Sequence, residues 1–330
     1  MGRVFPEDAL ADTGRTVPVL SACEHYAGNE RFIDKALALQ ATVDRPFDLT
    51  LDLEDGAPVG REHAHLEMVC DMLAEYTPRR GRVGVRVHDI RHPVFMNEVE
   101  AVLGRLGHKV DYLVVPKTND RGDVEYVSSV MQEIAKDTMR EAMWPLHVLI
   151  ESQRALHDLF PIAAHPQVET LDFGSMDFVS DHGGALSSAC LRSPVQFEHA
   201  LMRRAKTQIV AAALLNAVVP VHNVTLDVGR AEVAGADAKR AKDEFGFLRM
   251  WSIHPGQIEP IIEGMAPDPA ETERAIAILL QAQDTDWGPI RFEDELHDRA
   301  SYRYAWGIAR RSHLAGRALA EDTVARLFKS

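Results

Sequence analysis

This sequence predicts an α/β protein, a (β/α)8 TIM barrel with a C-terminal helical extension. Three observations lead there. Eight short apolar runs recur along the chain, segments of helical period separate them, and together they fill residues 1–265. Roughly 250 residues is the usual size of such a barrel. Strands alternating with helices imply βαβ units and a mostly parallel sheet. An open doubly wound sheet is the competing architecture. It lacks support because no Gly-rich phosphate or dinucleotide loop follows the first run.

The strand candidates, in order, are Val17–Ala22, Asp48–Leu53, Val83–Val87, Tyr112–Val115, Leu146–Ile150, Thr170–Phe173, Val218–His222 and Met250–Ile253. Between them, Phe95, Val99, Val102, Leu103 and Leu106 repeat at i, i+4, i+7, i+8 and i+11, which is one face of a helix. Leu201, Ala205, Ile209 and Ala212 form a second stripe. From residue 266 the pattern changes. Pro267-Asp268-Pro269 breaks the chain and opens a helix over Ala270–Gln283, Asp286-Trp287-Gly288-Pro289 makes a turn, and a last helix spans about 299–318. The expected domains are therefore a barrel over 1–265 and a helical extension over 266–330.

Composition narrows the class. The chain has 330 residues, 46% hydrophobic and 26% charged, which suits a globular protein with a large core. No apolar stretch approaches the ~20 residues needed to span a bilayer. The opening Met1-Gly2-Arg3-Val4-Phe5-Pro6 has no apolar signal core. Cys23, Cys70 and Cys190 show neither metal spacing nor a disulfide pattern, and a reducing cytoplasm is expected. A net charge of −14 argues against nucleic acid as a partner.

In a barrel the reactive groups stand at the carboxyl ends of the strands. Those ends here carry Asp52-Leu53-Glu54-Asp55-Gly56, Arg86-Val87-His88, Pro116-Lys117, Glu151, Asp177 and His254-Pro255. A carboxylate where a buried strand opens to solvent is costly unless something pairs it. Glu151 and Asp177 both hold that position, and two converging carboxylates suggest a hard cation such as Mg²⁺. Each residue also has a structural reading. Glu151 can cap the following helix, Asp177 can close a turn with Gly174 and Ser175, Arg86 can pair with Glu54 or Asp55, and Lys117 can serve as a supporting charge.

Five passages also resemble a known family. They are Leu51-Asp52-Leu53-Glu54-Asp55-Gly56-Ala57, Gly84-Val85-Arg86-Val87, Val114-Val115-Pro116-Lys117, Ile150-Glu151-Ser152 with Phe173-Gly174-Ser175-Met176-Asp177, and Ser252-Ile253-His254-Pro255-Gly256-Gln257-Ile258. In this order they resemble the HpcH/HpaI aldolase and citrate lyase β-subunit superfamily, in particular its coenzyme A ester lyases. The chain departs from that pattern in its first loop and before the second of the two acids. The segment Val19–Asn29 lacks the Arg-Ser pair and the proline of the family's first loop, and Met176 replaces the usual glutamate before the second metal ligand.

The resemblance implies the same barrel, Mg²⁺ (with Mn²⁺ also accepted by such carboxylates), and reversible cleavage of a β-hydroxyacyl-coenzyme A. The products would be acetyl-coenzyme A and a 2-oxo acid. By resemblance Glu151 and Asp177 bind the metal, and Arg86 binds the 2-oxo acid. Glu54 and Asp55 orient water or neighbouring side chains, and Lys117, Gly174 and Ser175 border the substrate. Asp298, followed by Ala300 and Ala305 but without the family's proline, would move a proton in a neighbouring subunit's site. That implies a homo-oligomer, a trimer or a dimer of trimers. Two alternatives stand beside this reading: an aldolase using free 2-oxo acids without coenzyme A, and a non-catalytic binding protein on the same barrel.

Overall fold

The structure is a computed structural model that describes residues 4–11, 14, 16–55, 59–77 and 80–329. Gly56 and Ala57 of the motif after the second strand, and the opening Met1, Gly2 and Arg3, lie outside the described residues. The described chain forms two units, one of residues 21–265 and one that joins residues up to Leu20 with 266–330. The sequence places residues up to 20 with the barrel, whereas the structure joins them to the second unit.

Eight parallel strands close into a barrel in chain order. They are β1 (Cys23–Ala27), β2 (Asp48–Asp52), β3 (Val83–Arg86), β4 (Tyr112–Val115), β5 (Leu146–Ile150), β6 (Val168–Phe173), β7 (Val219–His222) and β8 (Arg249–Ser252). Seven coincide with apolar runs seen in the sequence. The first does not, because the strand lies beyond Val17–Ala22, over Cys23-Glu24-His25-Tyr26-Ala27. Glu24 and His25 look unsuited to a buried strand. Both are nonetheless buried, because the barrel supplies partners. Thr50 donates to Glu24, and His25 Nδ1 lies 2.7 Å from Ser252 Oγ.

The interior of the barrel carries charge as well as aliphatic side chains. Arg249 on β8 reaches Asp48 at 2.6 Å and Glu24 at 3.2 Å. Across the barrel, His147 on β5 faces Glu24 at 3.4 Å and Glu169 at 3.0 Å, and its ring stacks on Tyr112 at 4.0 Å between centroids. Gly84 makes room for that stack, since a Cβ there would run into the Tyr112 ring. Burial favours the neutral form of Glu24, but Arg249 and His147 outweigh it and hold the carboxyl below its usual range.

Helices follow the strands as their periodicity suggests, over Arg121–Asp137 and Ala200–Leu215 for example. The stripe beginning at Phe95 starts as an α-helix to Val99 and then widens into π turns over Glu100–Arg105.

The second unit has its own core. Leu279, Tyr302, Trp306 and Leu327, from the helices Pro269–Asp284, Arg299–Leu314 and Glu321–Leu327, pack together with Leu10. Pro269 begins the first of these, and Asp268 caps it through the Ala270 N–H. Between the first two helices lies a hairpin not expected from the sequence, β9 (Ile290–Phe292) and β10 (Glu295–His297). Its turn residues Glu293 and Asp294 both have positive φ, as a two-residue hairpin turn requires. No helix among the described residues is long and apolar enough to cross a membrane.

Candidate active site

The carboxyl ends of β1 to β3 and β5 to β8 surround a cavity of about 710 Å³. Asp52 and Arg86 are the last residues of β2 and β3 and stand opposite each other in the sheet. Their side chains form a two-pronged ion pair, Nε to Oδ1 and Nη2 to Oδ2, both at 2.7 Å. Glu54 and Asp55 complete the ring around the guanidinium at 3.1 Å each. Burial opposes the Arg86 charge, but Asp52 dominates and makes the proton harder to remove. Asp52, which the sequence reading left without a role, is thus the main partner of Arg86. Its Oδ1 also accepts the Glu54 N–H at 3.1 Å.

Lys117 joins two of the acids. It follows Pro116 with a left-handed φ of 49°, a conformation uncommon for a residue with a Cβ. That turn aims its backbone N–H at Glu151 Oε1, while its ammonium meets Glu54 Oε1 at 2.6 Å. Glu54 is nevertheless shifted toward its neutral form, because burial outweighs Arg86 and Lys117.

Glu151 follows β5 directly and is buried. Burial and then the negative charge of Asp177 push its carboxyl up to about 8. Asp177 stands in the first turn of the helix Ser175–Asp181 that follows β6. Both acids line the large cavity and also a second, polar cavity of about 330 Å³ bordered by Arg91, Asn119 and Ser152. The recess for Glu151 depends on Gly174, where a Cβ would sit 2.7 Å from Glu151 Cβ. Gly174 has an ordinary negative φ, so Gly174→Ala strains no backbone. It pushes on the carboxylate instead. We expect this variant to lose at least about tenfold in Mg²⁺ affinity by calorimetry, the scale seen when the support of a metal ligand is removed. Wild-type affinity would disprove the recess argument.

This arrangement suits a divalent cation. The donors are carboxylate oxygens on neighbouring strand ends, a set that matches Mg²⁺ or Mn²⁺. A cation would also relieve the burial and the repulsion that disfavour ionised Glu151. A second cluster, Glu24, His147 and Asp172, has ligand atoms within 4.8 Å of one another. There Arg249 already neutralises Glu24, so the cluster reads as a structural charge network.

The opposite wall of the cavity is aromatic and aliphatic. Tyr26 stacks on Trp251 at 4.4 Å and lies beneath Arg86, whose Cζ is 5.3 Å from the ring centre. Trp251 Nε1 donates to Asp172 at 3.2 Å. Sequence reasoning missed both rings, because Tyr26 fell in an expected loop and Trp251 inside a strand. Of the residues singled out in the sequence, Glu54, Asp55, Arg86, Lys117, Glu151, Gly174, Ser175 and Asp177 all border these two cavities or the ion pairs at their wall. Asp298 belongs to the other unit. There its Oδ1 caps the helix Arg299–Leu314, and Ser301 returns a bond to the Asp298 N–H at 3.0 Å.

Comparison with known proteins agrees with this geometry. The family model for HpcH/HpaI aldolase/citrate lyase matches residues 34–255. The chain belongs to the HpcH/HpaI aldolase/citrate lyase family. It is therefore an enzyme of a carbon–carbon lyase family. Within the family, a crystal structure of a citrate lyase from Burkholderia xenovorans LB400 is 44% identical, with TM-score 0.83, covering 99% of this chain and 100% of that one. The L-malyl-CoA/beta-methylmalyl-CoA lyase of Rhodobacter capsulatus is 26% identical over 81% of this chain and 87% of its own. The protein CitE of Mycobacterium tuberculosis, solved in complex with magnesium, acetoacetate and coenzyme A, shares the fold. It is 21% identical, with TM-score 0.65, over 89% of this chain and 98% of that one.

Proposed function

We propose that this chain is a Mg²⁺-dependent lyase that cleaves, or in reverse forms, the carbon–carbon bond of a β-hydroxyacyl-coenzyme A, giving acetyl-coenzyme A and a 2-oxo acid. One observation carries the reading. Two carboxylates, Glu151 and Asp177, face a common cavity at adjacent strand ends, and the buried one is disfavoured without a cation. These two residues would hold the metal. When bound, Mg²⁺ supplies positive charge against the oxygens on which negative charge develops as the carbon–carbon bond breaks.

The remaining residues position and exclude. Lys117 fixes Glu151 through its backbone and Glu54 through its ammonium. Asp52 fixes the plane of Arg86, which adds fixed positive charge at the cavity wall. Tyr26 and Trp251 keep water from that side of the site. Buried Glu54 and exposed Asp55 hold the rest of the Arg86 guanidinium. Asp298 moves the proton at the enolate carbon from a second copy of the chain in a trimer or a dimer of trimers, provided it reaches hydrogen-bond distance there. The coenzyme A ester lyases among the relatives support the thioester substrate.

The test is calorimetric titration of the Mg²⁺-loaded protein with oxaloacetate, glyoxylate and pyruvate, each with and without acetyl-coenzyme A. Metal-dependent binding of an acid, tightened by the thioester, is the expected result. Binding that ignores the thioester would replace this reading with an aldolase of free 2-oxo acids. No binding of any of the three would remove these acids as substrates and leave a 2-oxo acid of another class or a non-catalytic binding role.

A further inference from the structure

We infer that the 2-oxo acid handled at this site carries an apolar substituent and a single carboxylate. The inference rests on the metal-dependent lyase reading and adds the class of acid. Charge gives the first argument. Asp52, Asp55, Glu151 and Asp177 line the large cavity, and among the described residues Arg86 is the one cation lining it. Three carboxylates already surround that guanidinium. At the wall of the polar cavity, Lys117 pairs with Glu54, and Arg91 pairs with Asp89 and Asp123. A single substrate carboxylate can be held at the Glu151–Asp177 cation. A second one, as in a dicarboxylic 2-oxo acid, would enter a negative field without a free counter-charge.

The apolar part of the lining gives an independent argument. Phe32, Met176 and Ile253 are 53%, 52% and 40% exposed, and all three line this same cavity beside Tyr26, Val224 and Trp251. Large apolar side chains left open together around one concavity mark a binding surface. Met176 adjoins Asp177 in the chain and stands where the resemblance leads one to expect a glutamate. Replacing an acid by a thioether beside the metal pair removes a negative charge and supplies a soft, adaptable contact for hydrocarbon.

Two acids of nearly the same shape separate the possibilities. Oxaloacetate ends in a carboxylate where 4-methyl-2-oxopentanoate ends in an isopropyl group. The full chain, loaded with Mg²⁺ and without thioester, is titrated by calorimetry with these two and with pyruvate. The expected result is that 4-methyl-2-oxopentanoate binds at least about tenfold tighter than either, since burying its isopropyl group is favourable and burying a second, unpaired carboxylate is not. Met176→Glu, and separately Ile253→Glu, should reduce that preference at least about threefold. Both side chains are partly solvent-exposed, so neither change opens the core. If oxaloacetate or pyruvate binds as tightly as the branched acid, or if neither variant moves the ratio, this inference falls while the lyase reading stands. If no 2-oxo acid binds, both fall.

Discussion

Replacing Glu151 by glutamine is expected to abolish turnover, with a loss on the order of 10³ or more, and to remove measurable Mg²⁺ binding. The fold should survive the change. Glutamine keeps the shape of the side chain, including its fit against Gly174, and replaces a carboxyl that burial and Asp177 already push toward its neutral form. The metal-free variant should therefore melt no lower than the wild type, and its melting temperature should not respond to Mg²⁺. The wild type should be stabilised by Mg²⁺, because a ligand that binds only the folded state raises its stability. Thermal scans with and without Mg²⁺ check both statements. A variant that still gains stability from Mg²⁺, or keeps full activity, removes Glu151 from the metal site. Loss of function without loss of stability would identify the carboxylate as functional, since a purely structural residue gives the opposite pattern.

The second large effect lies inside the barrel. Arg249 is fully buried and pairs with Glu24 and Asp48. Arg249→Met should cost about 3–5 kcal/mol, because it leaves carboxylates buried without their counter-ion. At that size the melting temperature should fall by roughly 10 °C. Adding Glu24→Gln to Arg249→Met should recover part of the loss, since removing both partners of a buried pair is much less costly than removing one. If the single variant melts like the wild type, the network is not a major source of stability. If the double variant is worse than the single, Glu24 has partners that matter more than Arg249, with Thr50 and His147 the nearest.

The sequence made the outline of the barrel legible because seven of its strands are apolar runs separated by helical periodicity. The strand ends then brought Glu54, Asp55, Arg86, Lys117, Glu151 and Asp177 to one face by topology alone, without knowledge of any distance. What stayed hidden depends on partners far away in the chain. β1 was misplaced because Glu24 and His25 are acceptable in a strand only when residues 26 and 227 positions away receive them. Asp52 was in view, but its bond to Arg86 becomes evident only from the register of β2 against β3. The hairpin of the second unit was missed because its turn uses Glu293-Asp294 in place of the Asn-Gly pair that usually announces one.

The same long-range pairing governs how the molecule is made. β1 hydrogen-bonds to β8, and Arg249 delivers its charge to acids that were synthesised about 200 residues earlier. Until β8 leaves the ribosome, β1 is an unpaired edge and Glu24 lacks its arginine. Closure is thus a late event whose ends must be brought together over most of the chain, the kind of contact that slows folding. A nascent or truncated chain that stops short of Ser252 presents an open sheet edge and an interior with excess negative charge. Quality control would meet this protein as an incomplete barrel, and β8 ends that exposure.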